Sequence, residues 1–401
     1  MSHLRIVIGN QTLAKYLQGG GHWIIRIQYL LGLRALKHDV VLLELLWSSG
    51  NHQQDEQRIS QFFQQLAEYG LAECCVLLLF PKELKEPRFE SAQAYGKSKA
   101  EIADIIKSAD LLWNDCCSIR QPLLGMFKHR VLIDLDPGVV QVSCIDWEDE
   151  NQDAPPLGPV AEAMSIHDHH AFLTVGRKMN DPDCEVPTLG LEWHTFSPFV
   201  YLPLWQVAPN PGLASPFSSI THWSWKEIWM KKRILSTSKR KAYLRYLDLP
   251  QKTGRAFELA ANIHPDDNTG DRELLTEHNW KLVDPWEVAK SPAAYQNYIA
   301  SSRAEIMCPK PIFRELKSGW FSDRSACYLA SGRPVLAEDT GFSDHLPTGK
   351  GLLAFRDLEE AIAGVHEIDA NYPKHMQAAR ELAEELLDSQ RCLEKILAAC
   401  S

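Results

Sequence analysis

The sequence lacks the features of a membrane or secreted protein. No apolar run approaches the ~20 residues that a membrane-spanning helix needs. The first residues, MSHLRIVIGN, have neither the basic nor the apolar block of a signal peptide. Positive charge is scarce, because 42 Lys and Arg face 52 Asp and Glu and the net charge is -10. This balance argues against non-specific binding to nucleic acid or membrane surfaces, while leaving room for a local basic groove. We expect a cytoplasmic protein.

Common nucleotide-binding and metal signatures are also missing. Neither GxGxxG nor a Walker A pattern occurs. The ten cysteines include the adjacent pairs Cys74-Cys75 and Cys116-Cys117, which lie in apolar runs without CxxC spacing. We therefore expect buried, reduced thiols rather than disulfides or zinc ligands.

What the first half does contain is an alternation of strands and helices. Helical spacing of apolar residues follows His22 and recurs near residues 57–69 and 97–108. Between these helices lie short apolar runs, namely LRIVIGN from Leu4, DVVLLEL from Asp39, CCVLLLF from Cys74, DLLWND from Asp110 and RVLIDLDP from Arg130. Such alternation predicts βαβ units and a parallel sheet. Residues 146–159 are acidic and proline-rich, which predicts a surface loop.

The alternation restarts after a Pro/Gly/Ser stretch, VAPNPGLASPF, which suits a linker. Strands are predicted in THWSW from Thr221, AFELAAN, KLVD, EIMCP, RPVLA and GLLAF. Ser291-Pro292 cap and start a helix, and residues 373–400 are amphipathic. We predict two doubly wound α/β domains at 1–207 and 218–375, with a helical tail at 376–401. Ligands of such folds bind at the carboxyl ends of the strands, so the interdomain cleft is the expected site.

A glycine-rich stretch, GGGHW, separates the first strand from the first helix. Gly20 and Gly21 would let the backbone approach a ligand, and the helix start offers N–H groups to an anion. A flexible turn is the alternative. His22 suits a general base because its ordinary pKa is near neutral, although a structural histidine is the competing interpretation.

A second anion site is predicted in the segment GWFSDRSACYLASGRPVLAEDTGF. Ser322 fits an N-cap, Asp323 and Ser325 follow in the first turn, and Arg324 offers forked donors to phosphate oxygens. A capped helix with an exposed ion pair is the alternative. The loop Asp339-Thr340-Gly341-Phe342 follows the next strand at the same sheet edge, and the two loops together favour a phosphate site.

Two lysines and two acidic or histidine-rich clusters are the other polar features of the sequence. Lys239, in STSKRKAY, and Lys310, after a predicted strand, are cations that could reach the same anion. DLDPG, with Asp136, is read as a turn that lines the acceptor side of the cleft rather than as a metal site. HDHH at residues 167–170 has no partner at zinc spacing, so we predict no metal there.

With these motifs in view, the chain resembles the GT-B-fold glycosyltransferases, which bind a nucleotide-sugar between two Rossmann-like domains. GGGHW and the later GLRALKHDVVLLEL look like their first loop, helix and second strand. The run from Ala330 to Val335 matches their A-x-G-x-P-V pattern, and Thr340-Gly341 and Gly351-Leu352-Leu353 look like the loop and strand that follow.

The resemblance implies a metal-independent hexosyltransferase that uses a UDP- or GDP-linked sugar as co-substrate, with no other cofactor. It implies a general-base role for His22, as in inverting members. The residues expected to bind the donor are Gly20, Gly21, Lys239, Lys310, Ser322, Asp323, Arg324, Ser325, Asp339, Thr340, Gly341 and Phe342. One glutamate of the retaining branch falls at Cys327 instead, so the stereochemistry is left open.

Two other functions remain open at this stage. A nucleotide-sugar 2-epimerase has the same fold but needs acid/base carboxylates, and a non-catalytic nucleotide-sugar-binding protein would not need the missing glutamate. On the premise of an exposed Arg324, we expect Arg324→Ala to weaken nucleotide binding with little change in melting temperature.

Overall fold

A computed structural model describes residues 3–147, 157–264 and 269–400 of the chain. The acidic segment predicted to be a surface loop lies largely outside these residues. All ten cysteines are free thiols, and most of them are buried, as expected. Among the described residues, no helix combines the length and the apolar composition needed to cross a membrane.

The amino-terminal domain is built on one eight-stranded sheet with helices packed against it. Its strands are β1 (Arg5–Asn10), β2 (Asp39–Trp47), β3 (Cys75–Phe80), β4 (Gln93–Tyr95), β5 (Leu111–Asp115), β6 (Arg130–Asp134), β7 (Ala171–Thr174) and β8 (Trp193–Thr195). Its helices are α1 (Gly20–Ala35), α2 (His52–Ala67), α3 (Lys99–Ser108), α4 (Val139–Ser143) and α5 (Pro159–Ala163).

The strand order of this sheet is β4-β3-β2-β1-β5-β6-β7-β8. All pairs are parallel except β3 with β4, which is antiparallel. The order reverses between β1 and β5, so the loops after these two strands diverge and leave a crevice at their carboxyl ends.

The carboxyl-terminal domain has a six-stranded parallel sheet in the order β13-β12-β9-β14-β15-β16. The strands of this half are β9 (Phe217–His222), β10 (Glu227–Met230), β11 (Arg233–Ser236), β12 (Phe257–Asn262), β13 (Trp280–Val283), β14 (Ala304–Met307), β15 (Val335–Glu338) and β16 (Leu352–Phe355). Strands β10 and β11 form a separate antiparallel hairpin.

The helices of this half pack against both the sheet and the other domain. They are α6 (Arg240–Leu244), α7 (Leu249–Thr253), α8 (Asp271–Glu277), α9 (Pro285–Val288), α10 (Pro292–Ser301), α11 (Pro311–Glu315), α12 (Asp323–Ala330), α13 (Leu358–Ala370), α14 (Tyr372–Leu386) and α15 (Ser389–Ala399). Helix α15 returns to the amino-terminal domain, where Leu393 packs beside Gly32 of α1.

Several local sequence signals form the expected structure. Ser291 caps α10 by accepting a hydrogen bond from the Ala294 N–H, with Pro292 in the first turn. Ser322 caps α12 in the same way, accepting from the Arg324 N–H at 3.2 Å. Strand β2 is buried along almost its whole length because helices cover both faces of the sheet.

Three features of the carboxyl-terminal half differ from the sequence-based prediction. The second domain starts its first strand at Phe217, inside the predicted linker, and Trp223 to Trp225 lie beyond the strand rather than in it. The hairpin β10–β11 was not predicted. Helix α14 starts at Tyr372 and continues through residue 376, where the tail was predicted to begin.

Candidate functional site

The carboxyl ends of the two sheets face each other across a cleft. On the amino-terminal side, β1 and β5 end at Asn10 and Asp115. On the other side, β9 ends at His222, and Lys310 follows β14. A salt bridge of 2.6 Å joins the Lys310 Nζ to Asp136 Oδ1, and it links the two walls directly. The predicted acceptor-side carboxylate and the predicted donor-side lysine therefore meet in the same cleft.

His22 faces this cleft from the first turn of α1. Its ring is exposed, lies parallel to that of Tyr16 at a centroid distance of 6.2 Å, and forms no side-chain hydrogen bond within the described part of the chain. Desolvation by the surrounding protein, together with the positive charge of Arg26 and the neighbouring His222, lowers the pKa of His22 to about 4. The imidazole is therefore neutral at pH 7, as a general base must be.

A buried polar cluster that the sequence analysis missed lies one turn beyond His22. Arg26 forms an ion pair with Asp115, whose Oδ2 also accepts a hydrogen bond of 2.8 Å from Asn10. Arg26 Nε and Asp115 Oδ1 have no partner in the described structure although both are buried. The signal was present in HWIIRIQ, where a lone arginine interrupts an apolar helix, and in DLLWND, where an acid ends a strand.

Lys239 lies at the start of α6 on the donor side of the cleft. Its Nζ is 5.9 Å from the centroid of the Trp320 ring. Burial, followed by the positive charges of Arg324 and Lys310, lowers the pKa of Lys239 to about 7. Three cations thus converge on one region, and their mutual repulsion would be relieved by a bound anion.

The expectation of an exposed Arg324 is wrong. Its side chain is only 11% exposed, and its Nε forms a 2.5 Å ion pair with Glu305, which is fully buried on β14. Its Nη1 donates to the Ile220 carbonyl at 2.6 Å, while Nη2 is buried and has no partner among the described residues. Nη2 is therefore the one guanidinium nitrogen without a partner in the described structure, and the rest of the group supports the fold.

The neighbours of Arg324 on α12 occupy different environments. Ser325 is completely buried, with its Oγ unpartnered in the described structure. Asp323 points across the cleft, where burial and the nearby negative charge of Asp115 raise its pKa to about 6, an increase that the charge of Arg26 opposes. Asp323 therefore belongs to the polar cluster around Arg26 and Asp115 rather than to a set of phosphate donors.

The second predicted phosphate loop is largely engaged with the protein itself. Thr340 Oγ1 donates to the Trp320 carbonyl at 2.5 Å, and the Gly341 N–H donates to Asp339 at 2.9 Å. Phe342 is fully buried. A Cβ on Gly341 would lie 2.6 Å from Lys178 Cδ, so this glycine makes room for a protein side chain. Thr340 and Phe342 are therefore buried within the protein, while a contact of this loop with the donor stays a prediction.

Gly20 also has a protein partner rather than a ligand. Its N–H donates to the Ala289 carbonyl at 2.8 Å, and an added Cβ would lie 2.9 Å from the carbonyl oxygens of Ala289 and Ser291. Gly21 lies beside the ring of Tyr295 on α10. Gly20 is needed because α1 packs closely against the other domain. The Gly20 N–H is therefore bonded to the protein rather than free for an anion, and a contact of Gly20 with the donor stays a prediction.

The two clusters considered for metal binding form internal hydrogen bonds. Asp134 accepts hydrogen bonds from Gln141, Thr174 and the Asp136 N–H, as in a turn. His169 is buried and contacts Asn114. No group of three or more His, Cys, Asp or Glu within the described residues is arranged to hold a metal ion.

Comparisons with solved structures identify the fold. The chain is similar to HepE of Anabaena in complex with UDP and glucose, with a TM-score of 0.59, 13% identity and coverage of 99% of this chain and 100% of that one. It is also similar to the pneumococcal O-GlcNAc transferase GtfA in complex with UDP and GlcNAc, with a TM-score of 0.55, 10% identity and coverage of 100% and 99%.

Sucrose-phosphate synthase from Thermosynechococcus elongatus gives a TM-score of 0.52 at 10% identity, covering 99% of this chain and 100% of that one. No protein-family model and no curated protein matches the sequence. The chain therefore has the GT-B fold, two Rossmann-like domains that face each other across a cleft. Glycosyltransferases are among the solved structures that share this fold with it.

Proposed function

We propose that the protein transfers a hexosyl group from a nucleotide diphosphate sugar to an acceptor. One observation carries the proposal: Lys239, Lys310 and Arg324 converge on one wall of a GT-B cleft, and a neutral imidazole, His22, faces that cleft from the other domain. Glycosyl transfer needs both a stabilised diphosphate leaving group and a base for the acceptor hydroxyl.

The donor side is suited to a diphosphate. As the bond to the sugar breaks, negative charge develops on the leaving group, and preorganised cations lower the barrier. Lys310 and Lys239 can supply point charges, and Arg324 can supply one further donor through Nη2. We propose that these side chains make a divalent metal unnecessary.

The acceptor side is suited to proton removal. His22 is exposed to the cleft and neutral at pH 7. Asp136 lies close enough for its negative charge to act on His22, and it would favour the imidazolium that forms when the acceptor proton is taken. The acceptor itself is a hydroxyl compound of unassigned structure.

The donor is proposed to be UDP- or GDP-linked. UDP is bound in the HepE and GtfA structures, which supports a uridine nucleotide as the first choice. The test is to incubate the protein with UDP-glucose, UDP-GlcNAc and GDP-mannose and to follow nucleoside diphosphate release with and without EDTA. Release by the wild type and loss of release in Lys239→Ala are expected.

Lys241→Ala is the matched control, because Lys241 lies two residues away and forms an exposed ion pair with Glu227 outside the cleft. Equal release of nucleoside diphosphate by the wild type, Lys239→Ala and Lys241→Ala would contradict the proposed role of Lys239 in binding the donor. Activity lost in EDTA and restored by magnesium or manganese would contradict metal independence.

A nucleotide-sugar 2-epimerase is a second candidate, favoured by one observation. The charges of Asp115 and Asp136 act on both His22 and Asp323, so carboxylates from both domains converge around one base. An epimerase would convert the donor sugar without an acceptor and without net nucleotide release. Chromatography of the sugar nucleotide after incubation separates the two reactions, and an unchanged donor that still binds would identify a non-catalytic binding protein.

A further inference from the structure

The hairpin β10–β11 and the residues on either side of it carry positive charge and aromatic residues on an otherwise acidic protein. From Trp223 to Lys241 the sequence is WSWKEIWMKKRILSTSKRK, with seven Lys and Arg and one acid, while the whole chain has a net charge of -10. Such a local reversal of charge marks a surface that attracts anions.

The hairpin has one buried and one exposed face. Ile228, Met230 and Leu235 point inward and are buried where the hairpin packs on α4 and α11. Trp229 and Ile234 are cross-strand neighbours on the outer face and are 60% and 49% exposed. Large apolar side chains that are adjacent and exposed mark an interaction surface.

A third exposed aromatic residue extends this surface towards the cleft. Trp225 is 58% exposed, and its ring lies 6.0 Å from that of His222 at the end of β9. The outer surface of the hairpin, formed by Trp225, Trp229 and Ile234, therefore borders the mouth of the cleft. We call it the hairpin patch.

Cations surround the hairpin patch. Arg233 and Lys241 form ion pairs with Glu185 and Glu227. Lys231 at the hairpin tip and Lys226 at its base are exposed, and neither has a carboxylate within ion-pair distance in the described parts of the chain. The uncompensated positive charges thus flank the exposed apolar residues.

We propose that the hairpin patch docks the protein on a membrane surface that contains anionic phospholipids. Tryptophan prefers the interface between water and hydrocarbon, and lysines beside it are attracted to anionic headgroups. The tryptophans Trp225 and Trp229 suit the interface with the hydrocarbon, and the lysines beside them suit the charged headgroups. The proposal does not depend on glycosyl transfer; if that function holds, docking would bring the cleft close to an acceptor carried by the membrane.

The test is co-sedimentation of the full chain with vesicles of phosphatidylcholine alone and of phosphatidylcholine mixed with phosphatidylglycerol. We expect binding to the mixed vesicles only, and weaker binding as salt rises. Lys231→Ala should lower the partition coefficient about fivefold, and Trp229→Ser/Ile234→Ser should lower it about tenfold or more. Trp286→Ser is the matched control, because Trp286 is an exposed tryptophan on α9.

Circular dichroism of each variant shows whether it is folded, and because the substituted side chains are on the outer face we expect unchanged spectra. Three outcomes would overturn the proposal: no binding to either vesicle, equal binding of all variants, or binding that ignores lipid charge. Light scattering at several protein concentrations tests whether a second copy of the chain binds the hairpin patch instead of a membrane. A dimer that Trp229→Ser/Ile234→Ser dissociates would assign the hairpin patch to a second copy of the chain instead.

Discussion

Arg324→Ala is expected to destabilise the carboxyl-terminal domain strongly. The substitution removes the 2.5 Å ion pair with Glu305 and the 2.6 Å hydrogen bond to the Ile220 carbonyl. Glu305 is fully buried, so its carboxylate would be left without a counter-charge. Breaking a buried pair in this way costs about 3–5 kcal/mol. This reverses the expectation of a nearly unchanged melting temperature, which assumed an exposed arginine.

The size of the effect can be measured as a thermal shift. For a domain of about 150–250 residues, 1 kcal/mol lowers the melting temperature by about 2–4 °C, so the loss should be about 6–20 °C. Differential scanning fluorimetry and urea unfolding measure it. Arg356→Ala is the control, because Arg356 is 69% exposed and its 3.3 Å contact with Asp339 contributes little.

A second variant separates stability from ligand binding. Glu305→Gln/Arg324→Met removes both charges with little change in volume, so it should recover much of the lost stability. It lacks the free Nη2 donor, so its affinity for UDP-glucose should remain low at a temperature where it is folded. If Arg324→Ala melts within about 2 °C of Arg356→Ala, the buried-pair argument is wrong.

Three further predictions concern the cleft. His22→Ala should lower kcat by about 10²–10⁴-fold with unchanged donor affinity; a loss of melting temperature with normal turnover would make His22 structural. Because the pKa of Lys239 is about 7, its charge is lost as pH rises, so calorimetry should show affinity for UDP-glucose falling above that pH. Lys239→Arg should flatten the profile, and UDP-glucose is preferable to UDP, whose terminal phosphate titrates near pH 6. Asp136→Asn should raise donor affinity about twofold by releasing Lys310 from a half-exposed ion pair, and weaker binding would count against that competition.

The fold was predictable because its signals are local. Apolar runs of strand length and helical spacing depend on neighbouring residues, and the caps at Ser291 and Ser322 need only the next few N–H groups. The hairpin β10–β11 was missed because no tight-turn signature joins its strands. Its turn contains Lys231 in a left-handed conformation, where glycine or asparagine is usual.

The site was only partly predictable because partners come from distant parts of the chain. Glycines at Gly20 and Gly341 correctly indicated that something approaches the backbone closely, but in both places it is another part of the protein. The commitment of Arg324 to Glu305 depends on a residue of a different strand. The spacing of residues in the sequence does not show whether such a residue contacts another part of the protein or a ligand.

The salt bridge between Lys310 and Asp136 connects the proposed donor side of the cleft to the proposed acceptor side. Lys310 is neutralised by Asp136 from the opposite domain. A diphosphate that binds Lys310 would compete with Asp136 and weaken this link between the walls. Asp136 would then lack its counter-charge, and since its negative charge raises the pKa of His22, the imidazole would become a stronger base. Donor binding would therefore act on the acceptor base through this salt bridge, as an addition to the larger effects of burial and of Arg26.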